Sequence, residues 1–300
     1  MLSLLFMALL AQANISVTSQ QLPKNIFILA GQSNMAGRGG VVNDTKTGIL
    51  RWDGIVPPQC QPEPSVFRLS GDFTWVLAHE PLHSDIDYNK TNGIGPGMAF
   101  ANAVLTKDPA IGVVGLVPCA IGGTAISQWE KGGFLYDQLV QRTRVALYSG
   151  GVLRAMLWYQ GESDTLIEED ADSYKGRLEK FFTDVRADLQ HPFLPIFQVA
   201  LASGEGPVID TIREAQKGIK LPNVHCVDAK GLPLEPDRLH LTTPAQVHLG
   251  QMLADAFLQT RSSPIRTSSS SSNSSTRHST FISYHWLGLL FFSIFFYWYK

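Results

Sequence analysis

Five short apolar runs set the rhythm of the chain: Ile26–Ala30, Ile111–Pro118, Leu153–Tyr159, Leu194–Leu201 and Val224–Asp228. Each is nearly continuous in hydrophobic residues and does not alternate with polar ones. That is the pattern of strands buried on both faces of a parallel sheet. Stretches with helical spacing separate them, at Met98–Thr106, Tyr136–Tyr148, Glu168–Leu189, Val208–Gly218 and Pro244–Thr260. Strands alternating with helices require βαβ crossovers. The pattern therefore predicts an α/β fold, a three-layer α/β/α sandwich with a central, mostly parallel five-stranded sheet. Residues 39–95 interrupt the alternation; they are rich in Gly and Pro and contain Trp52 and Trp75. So long an irregular insertion reads as a region that shapes a substrate site. No internal repeat is present.

In an open parallel sheet, ligands bind beyond the carboxyl ends of the strands. The first run is followed by Gly31-Gln32-Ser33-Asn34, the second by Cys119-Ala120-Ile121-Gly122-Gly123-Thr124. The third leads into Gln160-Gly161-Glu162-Ser163-Asp164, and the last precedes Pro236-Asp237-Arg238-Leu239-His240-Leu241-Thr242-Thr243-Pro244. The run Leu194–Leu201 ends without such a cluster. This convergence of polar and glycine residues on one sheet edge is the structural argument for a site.

The chemistry that these residues suit is acyl transfer, which needs a nucleophile, a base, an orienter for the base and donors for the oxyanion. Ser33 sits in a glycine-flanked turn directly after a strand, where a side chain is lifted to the sheet edge and backbone N–H groups surround it. His240 is the candidate base. It precedes a marked helix start, with Thr243 as N-cap, Pro244 at the first helical position and Gln246 three residues after the cap. Asp237, three residues before His240, can reach Nδ1 and leave Nε2 facing Ser33. The other histidines fall in loops, a strand, a helix or the tail without a paired acid. The oxyanion hole would draw on the backbone of Ser33, the Gly122-Gly123 pair and the side-chain amide of Gln160. Gln32 and Asn34 are candidates to touch substrate. Trp129, beyond the glycine pair, is a candidate to stack on a ring of the substrate, with packing under the sheet edge as the equal alternative.

Composition narrows the classes. The 300 residues, 44% hydrophobic, suit one α/β domain of about 250 residues. A net charge of −2 and the lack of a basic block give no electrostatic basis for a nucleic-acid partner. Cys60, Cys119 and Cys226 are too few for a disulfide framework and too scattered for a zinc site, and no CxxC or HExxH spacing occurs. Neither a metal nor another cofactor is assigned.

The ends resemble targeting or anchoring segments. Residues 1–13 resemble a short signal peptide ending in Ala11-Gln12-Ala13. Residues 262–280 form a Ser-rich linker, and 281–299 an apolar, aromatic tail long enough to cross a bilayer. The tail is open to three readings: a glycosylphosphatidylinositol signal, a membrane span, or a tail anchor. The first two fit a secreted or cell-surface protein attached to a membrane, the third a cytosolic domain. Oligomeric state is not encoded legibly.

Four segments in order, GQSNMAGRG, CAIGGTAISQW, WYQGESD and PDRLHLTTPAQVHLG, resemble plant and bacterial carbohydrate esterases of the sialate O-acetylesterase (SASA) type. These are a branch of the SGNH (GDSL-like) hydrolases, with a flavodoxin-like layering, grouped with acetylxylan esterases of carbohydrate esterase family 6. The resemblance covers roughly residues 24–260. It implies a serine esterase that removes O-acetyl groups from carbohydrate without a cofactor. It also implies Ser33 as nucleophile, Asp237 and His240 as its partners, and Gly122 or Gly123 with Gln160 around the oxyanion. Glu162 of the QGE segment is the alternative acid. Two rival readings stay open: a lipid or small-ester hydrolase on the same scaffold, and an inactive carbohydrate-binding surface protein.

Overall fold

The computed structural model describes residues 22–148 and 150–262. The signal segment, the tail and all of the Ser-rich linker past its first residue lie outside the described residues. Among the described residues no helix is long and apolar enough to cross a membrane.

The chain opens with β1 (Asn25–Gly31) and a single helical turn α1 (Ser33–Ala36). The insertion follows, with the hairpin β2 (Val41–Asn43) and β3 (Leu50–Trp52), then β4 (Val66–Leu69) and β5 (Trp75–Leu77). Regular alternation resumes with α2 (Pro96–Lys107), β6 (Val114–Pro118), α3 (Phe134–Tyr148) and β7 (Val152–Tyr159). It ends with α4 (Glu168–Asp188), β8 (Ile196–Ala200), α5 (Ile209–Lys217), β9 (Val224–Asp228) and α6 (Thr243–Ser262).

The α/β class and the parallel sheet match the sequence expectation, but the sheet has seven strands, not five, in the order β5-β4-β6-β1-β7-β8-β9. The two extra strands come from the insertion. β4 pairs parallel to β6, and β5 folds back antiparallel on β4. They are four and three residues long, and β4 carries a buried charge, Arg68, held by Asp85 at 2.6 Å. Arg68 interrupts β4, and β5, though apolar throughout, is too short to stand out as a run.

Register places the two helical layers. Phe27 pairs with Ala155, and Ala30 pairs with Trp158, so Phe27 and Trp158 point to opposite faces. On the Phe27 side, Phe100 of α2 and Phe257 of α6 meet it edge-to-face at 5.0 Å each. Those helices approach closely at Gly250, where a Cβ would lie 2.5 Å from the Pro96 carbonyl oxygen. On the Trp158 side, Trp129, Phe181 and Phe182 form the second aromatic cluster. β1 is the centre of the sheet, and the chain leaves it to one side for β4 and β6 and then crosses to the other for β7. The carboxyl end of β1 is therefore a topological switch point, the place where such sheets open a crevice.

Candidate active site

Ser33 stands at that switch point because β1 ends on a glycine. Gly31 has φ +128°, and a Cβ there would lie 2.0 Å from the Tyr159 carbonyl oxygen, so only glycine lets the chain turn across the end of β7. The Gln32 N–H donates to that same carbonyl at 2.8 Å, and the Met35 and Ala36 N–H groups close the turn on the Gln32 carbonyl.

A strap from Pro233 to Thr242 brings His240 across. The Glu235 N–H donates to the His240 carbonyl, and the Thr242 N–H to the Pro233 carbonyl. Asp237 Oδ1 accepts from the Leu239 and His240 N–H groups at 2.9 and 3.0 Å. Arg238, between them, takes φ +58°, a left-handed conformation that costs a non-glycine residue about 1 kcal/mol. The strap leads into α6, whose cap is Thr242, one residue before the expected Thr243; its Oγ1 accepts from the Ala245 N–H at 3.3 Å.

The result is a linear constellation. His240 Nδ1 lies 2.6 Å from Asp237 Oδ2, and His240 Nε2 lies 2.9 Å from Ser33 Oγ. A carboxylate only accepts, so Nδ1 carries the proton and Nε2 is left as acceptor for the serine hydroxyl. Burial opposes ionisation of Asp237, but the His240 and Leu239 N–H groups and the imidazole outweigh it and hold its carboxyl below the usual carboxylate range. Ser33 and His240 open onto a cavity of about 340 Å³, which Gly122 and Gly123 also line. Neither glycine N–H donates to a protein acceptor among the described residues.

Four of the residues expected at the site lie behind it. Gln160 is fully buried, and its Nε2 is committed to Asp164 Oδ2, the Thr124 carbonyl and Gln32 Oε1 at 2.6, 2.8 and 3.3 Å. Its amide has no hydrogen left for an oxyanion, so that expectation is corrected. Gln32 and Asn34 are also fully buried. Gln32 Oε1 accepts from Gly161 and Ser163 N–H as well, and Asn34 binds Glu162 and the strap, so neither is placed to touch substrate. Trp129 is wholly enclosed; its Nε1 donates to Thr124 Oγ1, and its ring packs on Trp158 at 5.1 Å. Core packing, the alternative reading, is what the structure shows.

Glu162, the alternative acid, does not bond to His240. It is fully buried, its Oε1 accepts from Asn34 Nδ2 at 2.8 Å, and its Oε2 has no partner. Burial pushes its carboxyl up to about 7, with the Asn34 amide pulling against that rise. Asp164 is pushed up to about 6 in the same way, against donation from Gln160 and Ile126.

Residues that sequence reasoning passed over complete the cavity. Val41 and Leu50 of the β2–β3 hairpin form an apolar wall, and Lys90, Thr91, Glu205 and Glu235 supply polar groups. Thr91 Oγ1 donates to the Leu50 carbonyl and Glu235 Oε1 accepts from the Gly40 N–H, which hold the hairpin over the site. Arg38 lies beside the glycine pair, buried, with Nη2 on Asp87 at 2.5 Å and Nη1 on Asn92 Oδ1 and the Gly37 carbonyl. Its position in GQSNMAGR, five residues past the serine, was the available signal. The β8 end, read as lacking a cluster, is in fact followed by Ser203-Gly204-Glu205-Gly206; Glu205 lines the cavity and Ser203 Oγ donates to the Leu239 carbonyl.

Residues 23–259 match the family described as "Carbohydrate esterase, sialic acid-specific acetylesterase". A probable carbohydrate esterase of Arabidopsis thaliana is 58% identical over 239 residues, covering 79% of this chain and 91% of the relative. A crystal structure of an Arabidopsis thaliana protein, 57% identical, superposes with a TM-score of 0.77 over 79% of this chain and 98% of that one. A carbohydrate acetylesterase from Xanthomonas citri, 19% identical, shares the fold with a TM-score of 0.54 over 76% of this chain and 55% of that one.

Proposed function

The chain belongs to the carbohydrate esterases of the sialic acid-specific acetylesterase family, a family of carboxylic ester hydrolases, and from that premise we propose that it removes O-acetyl groups from carbohydrate through an acyl-enzyme on Ser33. The observation that carries this reading is His240 bridging Ser33 Oγ and Asp237 Oδ2 at the mouth of the cavity.

Ser33 Oγ attacks the acetyl carbonyl carbon while His240 Nε2 takes the hydroxyl proton. The carbonyl oxygen becomes the oxyanion, stabilised by the backbone N–H groups of Ser33 and Gly122. The bond from carbonyl carbon to sugar oxygen breaks, and His240 returns its proton to that oxygen. Water then repeats the sequence against the acyl-enzyme and releases acetate. Asp237 stabilises the imidazolium that forms twice in each cycle and keeps the proton on Nδ1. Polar side chains and a short apolar wall around the cavity suit a leaving group that carries hydroxyls beside hydrophobic ring faces.

The test is acetate release from acetylated xylan and from acetylated monosaccharides, beside a series of alkyl esters of rising acyl length. Loss of activity in Ser33→Ala and labelling of Ser33 by a fluorophosphonate are expected. A strong preference for long acyl chains would overturn the carbohydrate assignment. A folded protein that neither labels nor turns over would overturn the enzymatic one.

A further inference from the structure

Asn34, the residue after Ser33, uses both ends of its side-chain amide to hold the strap that carries His240. Asn34 Oδ1 accepts from the Leu241 N–H at 2.9 Å, and Asn34 Nδ2 donates to the Leu239 carbonyl at 3.3 Å. Leu239 and Leu241 flank His240, so one amide grips the backbone on both sides of the imidazole. The same Nδ2 donates to Glu162 Oε1 at 2.8 Å. A carboxyl oxygen there accepts only from the NH₂ end, which fixes which way the amide points. Gln246 of α6 adds a donor to the Asn34 carbonyl at 3.1 Å. On its other side the Leu239 carbonyl accepts from Ser203 Oγ at 2.5 Å. The side chains of Asn34, Glu162 and Gln246 are fully buried and do not line the cavity.

We infer that Asn34 and Glu162 are positioning residues: Glu162 orients the Asn34 amide, and that amide sets the height of His240 over Ser33. The inference rests on the proposed Ser33–His240 chemistry and assigns Glu162 a role that does not pass through the imidazole. Serine and asparagine are adjacent on one rigid turn, so the distance from Ser33 Oγ to His240 Nε2 is set through a path of two hydrogen bonds. A misplacement near 1 Å in such a pair costs about a hundredfold in rate.

The test is a set of variants assayed on a small acetyl ester, with melting curves run alongside. Asn34→Ala should lower kcat about 10- to 100-fold with KM changed less than threefold, and should slow fluorophosphonate labelling of Ser33 in parallel. Asn34→Asp keeps an acceptor for Leu241 but sets a second carboxyl against Glu162 and the Leu239 carbonyl, and should fall about as far or further. Adding Glu162→Gln to Asn34→Asp exchanges amide and carboxylate end for end. The double variant should regain about tenfold of the kcat lost. A merely structural pair would move melting temperature without that recovery in kcat. The inference is overturned if folded Asn34→Ala raises KM and leaves kcat near wild type. It is also overturned if the double variant, folded, is no faster than Asn34→Asp. Full activity in Ser33→Ala would instead remove the underlying chemistry, a separate failure.

Discussion

Replacing Asp237 by Asn is the sharpest probe of the site, because the structure dictates how the new amide must sit. Asp237 uses its two oxygens differently: Oδ1 accepts from the Leu239 and His240 N–H groups, and Oδ2 faces His240 Nδ1 at 2.6 Å. In Asp237→Asn the backbone donors retain the oxygen, and the NH₂ is forced toward Nδ1. Nδ1 must then accept, the imidazole proton moves to Nε2, and His240 donates to Ser33 when it should accept. The expected fall in kcat is about 10³- to 10⁴-fold, which corresponds to about 4–5.5 kcal/mol in the barrier. Melting temperature should barely change, because the turn keeps its bonds and Asp237 is about half exposed. Steady-state kinetics on an acetyl ester, with Glu162→Ala in parallel, decides the matter. Glu162→Ala should cost roughly tenfold through the loosened Asn34 amide. If Asp237→Asn retains activity within tenfold while Glu162→Ala abolishes it, the acid has been misassigned.

Gly122→Ala should lower kcat/KM about 10- to 100-fold, because the new methyl would lie 2.5 Å from Arg38 Nη2 and 3.4 Å from Ser33 Cβ, and three hydrogen bonds pin the guanidinium. Gly123→Ala meets nothing within 4 Å and carries only the strain of φ +73°, so it should cost about 1 kcal/mol of stability; equal kinetic loss in both variants would refute the packing argument. The rim carries Glu205, Glu235 and Asp237 against Lys90, with Arg38 neutralised by Asp87. An acetylated sugar bearing a carboxylate should therefore have a KM about fivefold above that of a neutral one at low salt, for about 1 kcal/mol of repulsion, and the gap should close in high salt. Burial pushes Glu80 up to about 8, so the folded protein holds a proton that the unfolded chain releases near 4.5. Stability should therefore fall between those pH values by up to ~1.4 kcal/mol per unit. Glu80→Gln should flatten urea midpoints measured from pH 7 to 8, and an unchanged slope there would refute the assignment.

The layered fold was legible because strands buried on both faces leave continuous apolar runs, as β1, β6, β7 and β8 do; β9, read with them, is also in the sheet but is an edge strand with only Val227 buried. β4 and β5 were not legible, since they are four and three residues long and Arg68 interrupts β4. Ser33, Asp237 and His240 were legible for a related reason. A serine after a strand and a histidine before a helix both sit where local signals are strong: the Gly31 turn and the Thr242-Thr243-Pro244 helix start. The insertion 39–95 was legible as a region that shapes the site, and Val41, Leu50, Lys90 and Thr91 come from it; which of its residues face the cavity was not, because they and Glu235 reach the site only through tertiary folding.

The expectations that failed share a cause. Gln32, Asn34 and Gln160 are polar residues at strand ends, and sequence reasoning aims such residues at a ligand. A sheet edge that must seat four incoming loops also buries many backbone N–H and C=O groups that no ladder satisfies. Side-chain amides, with both donors and acceptors, are suited to that task. Gln160 accordingly binds the Thr124 carbonyl and Asp164, Gln32 accepts from two N–H groups of the Gly161–Ser163 turn, and Asn34 ties the His240 strap to the serine turn. What then faces the cavity between Ser33 and the glycine pair is backbone. On the proposed chemistry a substrate would meet main-chain donors backed by a buried layer of amides, and so substitution of that hidden layer should change rate more than affinity.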